Sequence, residues 1–142
     1  MMLRLLFKTI TRIHVFLYRL SNGRFGSQMR GFQVLLLTTT GRKSGKRRTT
    51  PLGFFQDGEN FVIIGSNAGL DNHPAWLYNL KSNPTASIQV KDKQLTALTE
   101  VAGPEDRQRL WAELMNVAPG YADYQKRTRR EIPLVVLKPQ LS

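Results

Sequence analysis

From residue 2 to residue 20, MLRLLFKTITRIHVFLYRL, apolar side chains return at helical spacing. At about 100° per residue, Leu3, Leu6, Phe7, Ile10, Ile13, Leu17 and Leu20 share one broad face. Arg4, Lys8, Thr11, Arg12 and Arg19 share the opposite one. The pattern predicts an amphipathic helix. Its charges recur too often for a spanning helix, which needs about 20 mostly apolar residues. No small-residue cleavage site follows a clean apolar core, so a signal peptide is not expected. Two placements stay open: packed on the domain, or lying in a membrane interface with the basic face toward anionic lipid.

The period then changes. Residues 21–31 form a link containing Gly23, Gly26 and Gly31. Residues 32–40 are apolar and β-branched and read as a strand, and residues 50–56 read as another. Asp57-Gly58-Glu59-Asn60 is turn chemistry before a strand over 61–65, so the latter pair reads as a hairpin. A polar, glycine-bearing loop over 66–73 follows. Pro74 suits the first turn of a helix over 75–81, which Asn83-Pro84 stops. Residues 85–91 and 94–101 read as a second hairpin around Asp92-Lys93. A helix over 104–117 opens on Pro104, Glu105 and Asp106, acids that suit its positive end. A short helix over 119–128 and a buried strand over 132–137 close the chain. Hairpins rather than long crossovers join the strands. This predicts one α+β domain over residues 1–142, built on a small, mostly antiparallel barrel.

Composition narrows the chemistry. The chain has no cysteine, which excludes a disulfide framework and any cysteine-based metal or nucleophile site. His14 and His73 are its only histidines and lie far apart, so no metal is expected. The formal charge is +11, and every acidic residue lies at or after Asp57. The first 56 residues hold eleven Lys and Arg; the remainder holds ten of each sign. Such asymmetry points to an anionic partner for the first part of the chain.

Charge is densest in TTTGRKSGKRRTTP, residues 38–51, where five of the seven residues 42–48 are basic. This is not a P-loop: three residues rather than four separate Gly41 from Gly45, Arg47 follows Lys46, and a strand follows the loop. Nucleic acid is a minor reading, because no aromatics interleave the charges and no helix-turn-helix, RNA-recognition or zinc-finger signature is present. A small anion fits better. Gly41 and Gly45 let backbone amides converge. Thr38, Thr39, Thr40 and Ser44 add hydroxyls, and Arg42, Lys43 and Arg48 add charge suited to phosphate or carboxylate. A basic loop in plain solvent is the competing reading.

LLLTTTGRKSGKRRTTP, IIGSNAGLDNHPAWLYNLKSNP and YADYQKRTRREIPLVVL together resemble the deazaflavin (coenzyme F420)-dependent nitroreductase and quinone reductase family over nearly the full chain. The resemblance implies a split β-barrel of about six strands, with F420H2 passing a hydride to a quinone-like or nitroaromatic acceptor. It implies that Thr40, Gly41, Arg42, Lys43, Ser44 and Arg48 hold the cofactor's anionic part, and that Pro51, Ile64, Gly65 and Asn67 also bind the cofactor. Ser66 is implied near its ring, Ala75 and Trp76 in the segment that runs beside it, and Tyr121 and Tyr124 on the substrate side. A phenol near the accepting oxygen can donate a hydrogen bond or relay a proton.

The sequence also departs from the family pattern. Gly53 and Ala118 stand where aromatic residues are expected, Asn67 where a lysine is, and His73 where an asparagine is. Losing aromatics at positions 53 and 118 reshapes the pocket and puts a particular nitroaromatic substrate in doubt. FMN is the alternative cofactor, since related barrels use it. A basic module for membrane surfaces or nucleic acid is the alternative outside enzymology. The expected location is cytoplasmic, with residues 1–20 as a peripheral contact at the inner face of the membrane.

Overall fold

The computed structural model describes residues 2–24, 28–29 and 32–140, and of residues 2–4, 28 and 29 only the backbone. The predicted helix positions Leu3 and Arg4 therefore lie outside the described side chains, and the link glycines Gly26 and Gly31 outside the described residues. The elements are α1 (Met2–Leu20), β1 (Gln28–Met29), β2 (Phe32–Thr40), β3 (Arg47–Asp57), β4 (Asn60–Ile64), α2 (Ala75–Ser82), β5 (Thr85–Val90), β6 (Lys93–Val101), α3 (Pro104–Val117), α4 (Tyr121–Lys126) and β7 (Leu134–Pro139).

Six strands close on themselves in the order β2-β3-β4-β7-β6-β5, with β5 returning to β2. Every pairing is antiparallel. The split-barrel expectation is borne out. Closure leaves no open edge among these six strands, and alternate residues of each face inward. Leu35, Leu37, Phe54, Phe61, Ile63, Ile88, Val135 and Leu137 form the interior, with α2 contributing Trp76, Leu77 and Leu80.

Parts of the outer surface are covered too. Phe55, Val62, Ile64 and Leu134 pack against Leu110 and Leu114 of α3. Leu36 packs against Val15 and Tyr18 of α1. Burial on both faces explains why Val34–Leu37 read as an unbroken apolar run.

Some boundaries differ from the pattern, for local reasons. β3 begins at Arg47, inside the basic run, because a tight turn brings Thr40 opposite Arg47 and starts the ladder there. β7 begins at Leu134 although Ile132 is buried, because the side chain of Gln125 accepts the Ile132 N–H at 2.9 Å. α4 is shorter than predicted, its ends drawn into tight turns such as Ala122 N–H to the Pro119 carbonyl at 3.1 Å.

α1 departs furthest. It packs through Val15 and Tyr18, whose hydroxyl accepts the Lys91 N–H at 2.6 Å and faces the Val34 and Gln89 carbonyls at 3.1 and 3.2 Å. Burial raises the pKa of this phenol, against the Lys91 bond that lowers it. The stripe predicted from the sequence turns away from the barrel: Leu6, Phe7, Ile10, Ile13 and Leu20 are 52–71% exposed. Among the described residues no helix is long and apolar enough to cross a membrane.

Candidate functional site

The basic loop is a constrained turn. Gly41 donates to the Lys46 carbonyl at 2.7 Å and Gly45 to the Gly41 carbonyl at 2.8 Å. Gly45 has φ +70, a left-handed conformation that suits glycine. A Cβ on Gly41 would fall 2.7 Å from Ser44 Oγ, which accepts the Lys46 N–H at 3.2 Å.

The turn is anchored from below. Asn79 of α2, buried in the barrel mouth, accepts the Arg42 N–H on Oδ1 at 3.1 Å and donates from Nδ2 to Thr39 Oγ1 at 3.0 Å. The Arg42 guanidinium lies 4.7 Å from the centre of the Tyr78 ring. Lys43 and Arg48 are exposed. Asn79 had one signal in the sequence: it is a polar residue on a helix whose neighbours Trp76, Leu77 and Leu80 are core.

A second feature lies at the other end of β3. A cavity of about 640 Å³ is lined by residues including Phe32, Val34, Gly53, Ala118, Tyr121 and Tyr124. The two tyrosine rings of α4 meet edge to face, 5.6 Å apart, and Phe32 lies 5.9 Å from Tyr121. Arg127 stands over Tyr124 at 5.4 Å. A Cβ on Gly53 would come within 2.5 Å of the Phe32 ring and 3.1 Å of the Tyr121 hydroxyl oxygen. Gly53 thus lets both rings close over the strand. The space beside Gly53 is filled by Phe32, from the neighbouring strand. Nothing in the sequence marked Phe32, an apolar residue at a strand start.

Between these ends runs the loop after β4. Asn67, Ala68 and Gly69 are consecutively left-handed, with φ 46, 54 and 78. Such a conformation costs a residue like alanine roughly 1 kcal/mol and persists only where its surroundings enforce it. Arg130 enforces it. Its guanidinium donates to the carbonyls of Gly65 (3.1 Å), Ser66 (2.8 Å) and Leu70 (2.9 Å) and meets His73 Nδ1 at 3.0 Å. Burial lowers both Arg130 and His73 from their ordinary pKa values, and for His73 the charges of Arg130 and Lys81 add to the effect. His73 also packs on Tyr78, with ring centres 5.9 Å apart. A continuous set of contacts therefore runs from Ser66 through Arg130, His73 and Tyr78 to Arg42.

The predicted residues fall into two groups. Thr40, Gly41, Arg42, Lys43, Ser44 and Arg48 share the turn and its flanks. Tyr121 and Tyr124 line the cavity, and the loop carrying Gly65, Ser66 and Asn67 reaches the same helix: a Cβ on Gly69 would lie 3.0 Å from the Tyr124 carbonyl. Pro51 lies on β3 between the groups, opposite Leu36. Ile64 and Trp76 are buried in the core clusters and offer a ligand little surface, while Ala75 is exposed.

From Arg47, where the turn feeds into β3, to Gly53 is six strand steps, about 20 Å. A ligand reaching both ends is elongated, with several anionic groups at one end and a flat apolar part at the other. A deazaflavin bearing a phosphodiester and glutamates has that shape and charge, and the donors of the turn match its anionic end.

Comparison with known proteins identifies the family and the fold. The pattern of the F420H(2)-dependent quinone reductase family matches residues 10–139. An F420H(2)-dependent quinone reductase of Mycobacterium tuberculosis is 40% identical over 132 residues, covering 90% of this chain and 89% of its own. The solved structure of an F420-H2 dependent reductase, FDR-A, is 37% identical with a TM-score of 0.68, over 74% of this chain and 93% of its own. The heme storage protein HutZ of Vibrio cholerae shares the fold alone, at 16% identity and a TM-score of 0.60, over 77% of this chain and 82% of its own. The chain belongs to the F420H(2)-dependent quinone reductase family, oxidoreductases whose cofactor is the deazaflavin F420.

Proposed function

We propose that the chain reduces a lipid-soluble quinone in the cavity between β3 and α4, with F420H2 bound along β3 and its anionic end on the basic turn. The observation that carries this reading is the Tyr121–Tyr124 pair, which lines a cavity of about 640 Å³ one strand-length from a turn dense in positive charge. When bound, F420H2 supplies the hydride, and with it two electrons. The side chains do the rest. Arg42, Lys43 and Arg48 hold anionic groups. Arg130 fixes the loop carrying Ser66 and Asn67 beside the ring. Phe32, Tyr121 and Tyr124 present apolar faces to a flat acceptor and limit the water around it. A phenol at an accepting oxygen stabilises the negative charge that develops there, and one proton from solvent completes the quinol. With a reference pKa near 10, tyrosine serves best as a hydrogen-bond donor.

The outward face of α1 supports a membrane-borne acceptor. Exposed Leu6, Phe7, Ile10, Ile13 and Phe16 on a helix flanked by Lys8, Arg12 and Arg19 suit an interfacial position. The test is steady-state oxidation of F420H2 by a panel of quinones. Tyr121→Phe is expected to lower kcat about tenfold, the value of one hydrogen bond to a charged oxygen, and to leave F420 affinity unchanged. Failure of every quinone to oxidise F420H2 in the presence of the protein would sink the proposal.

A further inference from the structure

A second cleft lies on the same outer face of β3, at its start. α1 and β3 enclose about 650 Å³ lined by residues including Arg12, Phe16, Arg19, Arg47, Arg48 and Thr49, with no carboxylate among them. Register separates Arg47 from Arg48. Arg47 pairs with Thr40 and donates to Ser87 Oγ at 3.1 Å. Thr49, two residues on, meets Thr38 Oγ1 at 2.7 Å and accepts from Arg19 at 3.1 Å. These side chains share the α1 face. Arg48 pairs with Thr39, whose hydroxyl bonds Asn79, so its side chain projects to the opposite face, that of the anchored turn.

The partners of Arg19 and Arg47 are neutral hydroxyls. Among the described residues neither they nor Arg12 has a carboxylate within ion-pair distance. Three guanidinium groups thus converge on one cleft with their charge uncompensated. Its lip is apolar: Phe16 and Leu20 are 62% and 71% exposed and continue into Ile13 and Ile10.

We infer that this cleft is a headgroup site for an anionic phospholipid. The inference rests on the membrane reading above and deepens it by naming where the lipid phosphate is held. Guanidinium forks match phosphate oxygens. An acyl chain leaving the cleft would cover Phe16, Leu20 and Ile13, which a free phosphate or a polyanion would leave in water. Arg48 borders the cleft as well, but the three guanidinium groups of the site, Arg12, Arg19 and Arg47, lie on the α1 face, away from the turn anchored by Asn79.

The test is co-sedimentation of the full chain with phosphatidylcholine vesicles, with and without phosphatidylglycerol. The combined variant Arg12→Gln, Arg19→Gln, Arg47→Gln is compared with a control that loses equal charge elsewhere, Lys93→Gln, Lys126→Gln, Arg129→Gln. The cleft variant is expected to lose about a hundredfold in affinity for the anionic vesicles, roughly fivefold per charge, and the control only a few-fold. Titration with F420 shows that the cleft variant is folded and is expected to give unchanged affinity. Equal loss in both variants would mean diffuse charge and overturn the site. A matching fall in F420 affinity would assign the cleft to the cofactor's tail and overturn it too. If Ile10→Ser with Ile13→Ser abolishes vesicle binding while the cleft variant binds normally, the membrane reading stands and the headgroup site falls. No binding of the wild-type chain to anionic vesicles removes both.

Discussion

The two ends of the candidate site are built in opposite ways. The basic turn is local: six consecutive residues, Gly41 to Lys46, supply its shape and most of its charge, and one buried side chain, Asn79, ties it down. The tyrosine cavity is assembled from β2, β3 and the α3–α4 segment, and the neighbouring loop is held by Arg130 at four points. A local site recognises by charge and tolerates repacking. An assembled site recognises by shape, and a single methyl group can change it. Substitutions at the two ends should therefore separate cofactor affinity from acceptor affinity.

The largest separation is expected from Arg42→Ala combined with Lys43→Ala. Hydrogen bonds to charged groups contribute about 1.5–3 kcal/mol each, so F420 affinity should fall about a hundredfold while the KM for quinone stays within a factor of two. Fluorescence titration and steady-state kinetics measure the two quantities. A comparable rise in quinone KM would show that the ends are not independent.

Asn79→Ala tests the anchor rather than the charge. It strands the Arg42 N–H and the Thr39 hydroxyl, each about 1–3 kcal/mol when buried without a partner. We expect roughly a tenfold loss of F420 affinity, together with about 2 kcal/mol of stability by urea unfolding. Loss of stability with F420 affinity intact would reduce Asn79 to a packing residue.

Gly53→Ala acts at the cavity. The added methyl meets the Phe32 ring, which must shift, at about 1–3 kcal/mol of overpacking. Quinone KM should rise several-fold and F420 affinity should hold. If KM is unchanged, Phe32 is not part of the acceptor's wall.

The same contrast governs what could be read from the sequence. The turn announced itself, because glycine, hydroxyl and charge sit side by side in the chain. Tyr121 and Tyr124 were reached only through the family resemblance, since helical spacing alone cannot say whether two phenols face a core or a cavity. Phe32 and Arg130 were not reached at all. Their partners, Tyr121 for one and the Gly65, Ser66 and Leu70 carbonyls for the other, lie some 60 or more residues away. The amphipathic pattern of α1 was legible, but its orientation was not. Tyr18 decides that orientation by taking backbone partners on β2 and at the β5–β6 turn, and the apolar stripe is left outside.

The smallest effect is the most selective. His73 meets Arg130 through Nδ1, which must be unprotonated to accept, and burial, Arg130 and Lys81 all lower its pKa in the folded protein. The unfolded chain therefore takes up the proton first. The stabilisation this gives is fully present above about pH 6.5 and is lost as pH falls through the lower folded value. Protonation would also set a second cation against Arg130, which keeps the Gly65, Ser66 and Leu70 carbonyls, so the loop loosens without being released. His73→Asn should flatten the acid limb of thermal stability and remove any rise in quinone KM over the same interval. F420 affinity should stay flat throughout, because the turn from Gly41 to Lys46 contains neither histidine nor carboxylate. An acid-dependent loss of F420 affinity that His73→Asn abolishes would show that the contacts running through Tyr78 couple the two ends after all.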